Sequence, residues 1–168
     1  MIIEGGDVKK LLISILLSTV PLVAVAEGDY RDEGNWFIKK ETNKLTDKTD
    51  VYAMLSPSSG SGTLFLRCAN NKTEAFLSVD NYLGSGYGTP ITTRIDGGKP
   101  IKSSWSMGEG GDAAFAPKSL AFIKSISGKK ELIIGYSPYG KSQVIAEFNL
   151  NGIDKVASEI SVACGWKM

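Results

Sequence analysis

The sequence predicts an α+β domain that is mostly β: an antiparallel sheet or sandwich of about six to eight strands, with two short helices packed on it and one disulfide. Short segments of alternating apolar and polar residues recur along the chain and are separated by turn residues. Two later segments instead show the three- and four-residue spacing of an amphipathic helix. The two cysteines, Cys68 and Cys164, fall on one element of each kind.

Residues 1–26 predict a cleavable signal peptide. Lys9 and Lys10 precede a mostly apolar run that ends in Ala24-Val25-Ala26, a small-x-small pattern that signal peptidase accepts. The run is shorter than the roughly 20 residues that cross a bilayer core, and Pro21 weakens a helix there. We expect cleavage after Ala26, export, and no stable membrane anchor after cleavage. An uncleaved anchor and a buried core helix are the alternatives.

Charge and composition exclude several classes of function. The chain has 19 Lys and Arg against 18 Asp and Glu, a net charge of +1, which gives no electrostatic reason to expect a nucleic acid partner. It has no histidine, which excludes Ser-His-Asp and Cys-His catalysis and histidine-based zinc sites. Two cysteines cannot form a four-cysteine site, and phosphate-loop, dinucleotide and calcium-loop signatures are absent. We expect no enzyme, no metal and no cofactor.

After the signal peptide, the sequence predicts a flexible leader and one domain. Residues 27–35 are polar and contain two glycines, which is typical of a loose segment. Residues 36–168 predict a single mostly-β domain. Its first strand candidates are the segments 36–41, 51–55, 63–68 and 73–79. In the third of these, Leu64, Leu66 and Cys68 share one face and should point into the core.

Two hairpins are predicted in the second half of the domain. Segments 89–95 and 101–107 flank Asp96-Gly97-Gly98, a strong hairpin signal. Segments 131–137 and 143–150 flank Pro138-Tyr139-Gly140.

The helices are predicted on either side of that last hairpin. Pro117 suits a first turn, apolar residues follow at three-residue steps, and Gly128 ends the helix. The second helix has Asn151 as its predicted N-cap and Gly165 at its end. Its apolar face consists of Ile153, Val156, Ala157 and Ile160, and Cys164 lies near that face.

Cys68 and Cys164 are predicted to pair. An even number of cysteines in a chain that leaves the reducing cytosol favours a disulfide. One cysteine lies on the core face of a strand and the other on the core face of the terminal helix, which is the geometry for a covalent tie between them. Two buried free thiols are the alternative.

Few residues are candidates for function. The carboxylates Glu74, Asp80, Asp96, Glu109 and Asp112 show no spacing that pairs two of them, and we expect exposed charges at turns and strand faces. Two loops are candidate partner-binding segments, with Tyr82 and Tyr87 on a glycine-rich loop and Tyr139 and Lys141 at a hairpin tip. Plain turn chemistry and a flexible connection are the alternative interpretations. The three tryptophans are expected in or beside the core.

Several segments in order resemble the VasI family of type VI secretion-associated proteins, over roughly residues 35–166. They are a tryptophan-led first strand followed by Thr46-Asp47-Lys48-Thr49-Asp50-Val51, Leu64-Phe65-Leu66-Arg67-Cys68, Thr73-Glu74-Ala75-Phe76, Thr93-Arg94-Ile95-Asp96, Trp105, Ser137-Pro138-Tyr139-Gly140, Phe148-Asn149-Leu150-Asn151-Gly152-Ile153 and Ala163-Cys164-Gly165-Trp166. The resemblance implies a periplasmic, disulfide-bearing domain without catalytic residues. The serine- and glycine-rich stretch at 55–62 departs from it, and similar proteins also occur in prophage regions.

The leading hypothesis is therefore a periplasmic, non-enzymatic accessory or binding protein that contacts an envelope or cell-wall protein, in a type VI secretion context. An inhibitor of a cell-wall enzyme such as a lysozyme is one alternative. A prophage-encoded superinfection exclusion factor is the other.

Overall fold

The computed structural model describes residues 28–168, so the predicted signal peptide lies outside the described residues. The described part contains ten strands and two helices. In chain order they are β1 (Asp29–Glu33), β2 (Trp36–Thr42), β3 (Thr49–Leu55), β4 (Thr63–Ala69), β5 (Lys72–Ser78), β6 (Gly88–Ile95), β7 (Ile101–Met107), β8 (Ala113–Phe115), α1 (Ser119–Ile126), β9 (Glu131–Tyr136), β10 (Val144–Asn149) and α2 (Ile153–Ala163).

All ten strands belong to one antiparallel sheet with the order β1-β2-β3-β4-β5-β8-β7-β6-β9-β10. The mostly-β class, the antiparallel pairing and the two helices are confirmed. The predicted number of strands is wrong, because the sheet has ten rather than six to eight. The additional strands are β1 and β8. Strand β1 is too polar for a pattern of alternating apolar residues, and β8, with three residues, is too short for one.

The segment predicted as a flexible leader contains strand β1. Backbone pairing with β2 runs from Asp29↔Lys40 to Glu33↔Trp36, and Arg31 forms an ion pair with Glu159 of α2. Strand β1 lies at the edge of the sheet, where polar side chains are usual. Its polar sequence therefore resembles that of a loop, although backbone hydrogen bonds hold it as a strand.

The sheet curls around a single apolar core. The loop between β3 and β4 reaches β10 at the far end of the strand order. The backbone N–H of Glu147 donates to the carbonyl oxygen of Ser59 at 2.9 Å, and the backbone N–H of Ser58 donates to the carbonyl oxygen of Glu147 at 2.7 Å. Trp36 and Trp105 are buried in this core, as predicted, and Trp166 is half-buried beside it. Helix α2 packs on β2, β3 and β4, whereas α1 packs on β5.

The apolar face of α2 is confirmed, but its predicted N-cap is wrong. Ile153, Val156, Ala157 and Ile160 are buried. The N-cap is Gly152 rather than Asn151, with a φ of +97° and no side-chain capping bond. Only glycine fits at this position, because a Cβ on residue 152 would overlap the carbonyl oxygen of Glu33 in the β1–β2 turn. Neither helix has the length and apolar content that a bilayer-spanning helix needs.

The end of α2 carries the predicted disulfide. Cys164 bonds to Cys68, which lies 96 residues earlier on the core face of β4, with a Cα–Cα distance of 5.6 Å. The next turn is a Schellman motif, because Trp166 N–H bonds the oxygen of Ser161 at 3.0 Å and Gly165 N–H bonds that of Val162 at 3.4 Å. This motif turns the indole of Trp166 back towards the sheet.

Candidate functional site: a tyrosine surface on three loops

The two loops predicted to bind a partner meet in the structure. Tyr139 donates its backbone N–H to the carbonyl oxygen of Tyr82 at 2.8 Å. Their rings form an edge-on pair with centroids 6.2 Å apart. The side chains are 51% and 72% exposed, and Tyr87 on the first loop is fully exposed. We call Tyr82, Tyr87 and Tyr139 the tyrosine surface.

Sheet order brings these loops together. Loop 79–88 connects β5 to β6, and loop 137–143 connects β9 to β10. In an antiparallel sheet the end of one strand lies beside the start of its neighbour. The strand order β5-β8-β7-β6-β9-β10 therefore places both loops at one end of the sheet.

A third loop, 108–112 between β7 and β8, lies at the same end and supports Tyr82. Leu83 N–H bonds the oxygen of Gly111 at 2.7 Å, and Val79 N–H bonds that of Asp112 at 2.8 Å. A Cβ on Gly111 would lie 2.7 Å from Cδ2 of Tyr82. The glycine-rich sequence of this loop is a signal that another chain segment approaches closely.

Buried anchors hold the loops while the tyrosines project. Leu83 and Pro138 are buried next to the exposed Tyr82 and Tyr139, respectively. Lys141 donates from Nζ to Oδ1 of Asn81, which ties the tips of the two loops. The predicted residues Tyr82, Tyr139 and Lys141 are thus brought together, whereas Tyr87 extends into solvent.

The carboxylates expected at exposed positions divide into two groups. Asp80, Glu109 and Asp112 are exposed, as expected. The side chain of Glu74 is only 12% exposed and forms ion pairs with Arg67 and, at 2.6 Å, with Lys72. Burial would raise the pKa of Glu74, but hydrogen bonds from Lys72 and Arg67 outweigh it and lower that pKa. The expectation of an exposed charge is wrong for Glu74, because Arg67 lies directly opposite it on β4.

Asp96 has a structural role in its hairpin. Its Oδ1 accepts the backbone N–H groups of Glu131 and Lys130, both at 2.9 Å, and these bonds lower its pKa. No group of three metal-binding side chains occurs within residues 28–168. Glu74 and Asp96 therefore secure a strand pair and a turn, respectively.

Sequence reasoning missed an apolar row on the outer face of the sheet. Cross-strand register aligns Phe37, Met54, Phe65, Phe76 and Phe115 over β2, β3, β4, β5 and β8. The Phe65–Phe76 and Phe76–Phe115 rings stack with centroids 4.8 and 4.7 Å apart. The signal was present in Leu64-Phe65-Leu66, where both faces of one strand are apolar.

The fold is similar to that of a solved structure, although the sequence identity is low. The chain matches no protein-family model and no curated protein sequence, so the resemblance to the VasI family stays a prediction. The crystal structure of invasion associated protein B from Bartonella henselae matches with a TM-score of 0.55 and 12% sequence identity, over 79% of this chain and 96% of that chain. At this identity the similarity shows a shared fold alone.

Proposed function

We propose that this chain is an exported, non-enzymatic accessory protein of the cell envelope that binds a partner protein through the tyrosine surface. One observation carries the proposal: Tyr82 and Tyr139 come from separate loops, join through a 2.8 Å backbone hydrogen bond, and leave both rings exposed. Tyrosine provides a large contact area for few rotatable bonds and is enriched where interfaces gain most of their binding energy.

The loops are held ready for binding. Backbone bonds link Val79, Tyr82 and Leu83 to Asp112, Tyr139 and Gly111, respectively, so little ordering entropy remains to be lost at Tyr82 and Tyr139 on association. Loops on a rigid scaffold commonly carry binding residues. This arrangement favours a specific contact over a flexible connection.

Export is proposed from the N-terminal sequence and is supported by the disulfide. A bond between Cys68 and Cys164 is typical of proteins that fold in an oxidising compartment. The periplasm and a type VI secretion-associated partner are proposed from the resemblance to the VasI family.

Photo-crosslinking in living cells tests the function. A photoreactive amino acid replaces Ser85 or Ser142, which are exposed on the two tyrosine loops, or Val162, which is 79% exposed on α2. We expect one discrete adduct from positions 85 and 142, none from 162, and at least tenfold less adduct when Tyr82→Ala and Tyr139→Ala are added. An adduct that is equally strong from position 162, or insensitive to the tyrosine substitutions, would contradict the proposal.

Inhibition of a cell-wall hydrolase is a second candidate function. The fully exposed Tyr87 and the 72% exposed Tyr139 project from the end of the sheet, which suits loops that enter an enzyme cleft. Purified protein should then inhibit a muramidase at a one-to-one ratio, and the Tyr87→Ala, Tyr139→Ala variant should not. Full activity across a panel of muramidases would remove this candidate.

A further inference from the structure

Resting on the proposed function, we propose that the tyrosine surface recognises a basic segment of its partner. Arginine side chains of that segment lie against the tyrosine rings and pair with carboxylates of the same three loops.

The three loops carry an excess of unpaired negative charge. Loops 79–88, 108–112 and 137–143 contain Asp80, Glu109 and Asp112 against Lys141 alone, three acids against one base, or −2, although the whole chain is +1. All three carboxylates are exposed. None of them forms a salt bridge within the described residues. These carboxylates are therefore free to pair with a cation of another molecule.

The loop tyrosines also differ from the other tyrosines in their surroundings. Elsewhere a cation of the chain lies over an aromatic ring: Lys39 over Tyr30 and over Tyr52, Arg67 over Phe76, and Lys124 over Trp166, at 5.1 to 5.9 Å from the ring centroids. Tyr136 is buried. Within residues 28–168, Tyr82, Tyr87 and Tyr139 are thus the tyrosines that are exposed and have no cation over the ring.

Charge and ring chemistry together favour arginine. A cation over a tyrosine ring is attracted by the ring's quadrupole, and a planar guanidinium both stacks on an aromatic face and pairs with a carboxylate. Glycines at positions 84, 86, 110 and 140 of the same loops have no side chains that would obstruct a long side chain. Salt should weaken the contact, because exposed charges are screened.

A labelled peptide probe tests the inference on the full chain as recovered from expressing cells. The probe is a glycine-serine peptide with three arginines, compared with the same peptide carrying three citrullines. We expect the arginine peptide to bind about tenfold more tightly, and Asp80→Asn, Glu109→Gln, Asp112→Asn to remove that difference. Asp32→Asn, Asp47→Asn, Glu131→Gln, three exposed acids outside these loops that form no salt bridge within the described residues, is the matched control and should change the affinity by less than about twofold. Glu109→Lys, a single exposed charge reversal, changes the loop charge by two instead of three and should weaken binding less than the triple neutralisation.

Equal affinity for the arginine and citrulline peptides would overturn the inference. An equal loss of affinity in the control variant and in the loop variant would overturn it as well. The crosslinking assay separates it from the proposed function. If the three loop neutralisations leave the cellular adduct at wild-type strength while Tyr82→Ala, Tyr139→Ala abolishes it, the basic partner is wrong and the tyrosine interface stands. If neither set changes the adduct, the proposed function itself fails.

Discussion

Trp166 donates a hydrogen bond from its indole Nε1 to Oγ1 of Thr73 at 2.9 Å. Thr73 on β5 lies directly opposite Cys68 on β4 in the sheet register, and Cys68 holds Cys164 through the disulfide. Two adjacent cross-strand residues therefore bind the C-terminal turn, one covalently and one by a hydrogen bond. The disulfide and this hydrogen bond together fix the turn after helix α2 against the sheet.

Removal of the disulfide should destabilise the fold strongly. The chain-entropy model gives about 4.7 kcal/mol for a loop of ~100 residues, and this loop spans 96. We expect Cys68→Ala, Cys164→Ala to lower the free energy of urea unfolding by about 3–5 kcal/mol. Trp166→Phe, which removes the bond to Thr73 and part of the ring that packs beside the core and under Lys124, should cost about 1–2 kcal/mol. A double variant within 1 kcal/mol of wild type would contradict the prediction.

Gly34 and Gly152 should tolerate no side chain. A Cβ on Gly34 would overlap the backbone oxygen of Asn151, and one on Gly152 would overlap that of Glu33, because the β1–β2 turn and the start of α2 are in direct contact. We expect Gly34→Ala to lower the free energy of unfolding by roughly 3 kcal/mol or more. Gly128 has a similar positive φ, but a Cβ there would have no atom within 4 Å. Gly128→Ala should therefore lower the free energy of unfolding by only about 1–2 kcal/mol. Thermal unfolding of the two variants gives the comparison.

Gly111→Ala should displace Tyr82 without unfolding the domain. The new methyl group would meet the Tyr82 ring, a side chain that can move into solvent. We expect loss of the nuclear Overhauser contact between the Tyr82 and Tyr139 rings and weaker crosslinking from position 142. Gly128→Ala adds comparable backbone strain away from these loops and should leave both signals intact. Retention of the ring contact in Gly111→Ala would show that Gly111 does not position Tyr82.

Glu159 should make stability depend on pH. Burial would raise its pKa, but Lys40 and Arg31 outweigh burial and lower the pKa below the usual 4.5. The ion pair with Lys40 is 3.1 Å long, and the side chain of Glu159 is 11% exposed. The pKa of Glu159 is lower in the folded chain than in the unfolded chain, so the unfolded chain is protonated first as pH falls. The stabilisation is therefore complete above the unfolded pKa and is lost as pH falls through the folded pKa.

Glu159→Gln tests this dependence. At pH 7 we expect it to lower the free energy of unfolding by about 1–3 kcal/mol, and the difference from wild type should shrink as pH falls below about 4.5. Glu41→Gln breaks a more exposed ion pair with Lys39 and should cost less than about 1 kcal/mol at either pH. A difference for Glu159→Gln that stays constant from pH 7 to pH 3 would contradict the assignment.

Much of the fold was readable from local patterns. Leu64, Leu66 and Cys68 are buried on one face of β4 as their alternation predicts. The Asp96-Gly97 turn has positive φ at both residues and a 2.8 Å bond from Gly98 N–H to the oxygen of Ile95, which is the geometry that this pair favours. Strand β1 and the α2 N-cap were missed, since both depend on contacts between segments far apart in the chain.

The sequence by itself indicated eight of the ten strands, both helices, the faces that they bury, and the pairing of the two cysteines. Those properties follow from side-chain periodicity and redox chemistry, which act over a few residues or on composition. Only the tertiary structure decided the strand order, the bridge from Ser59 to Glu147 and the meeting of Tyr82 with Tyr139. Pairing between distant strands depends on the packing of the whole core, so no local pattern specifies it.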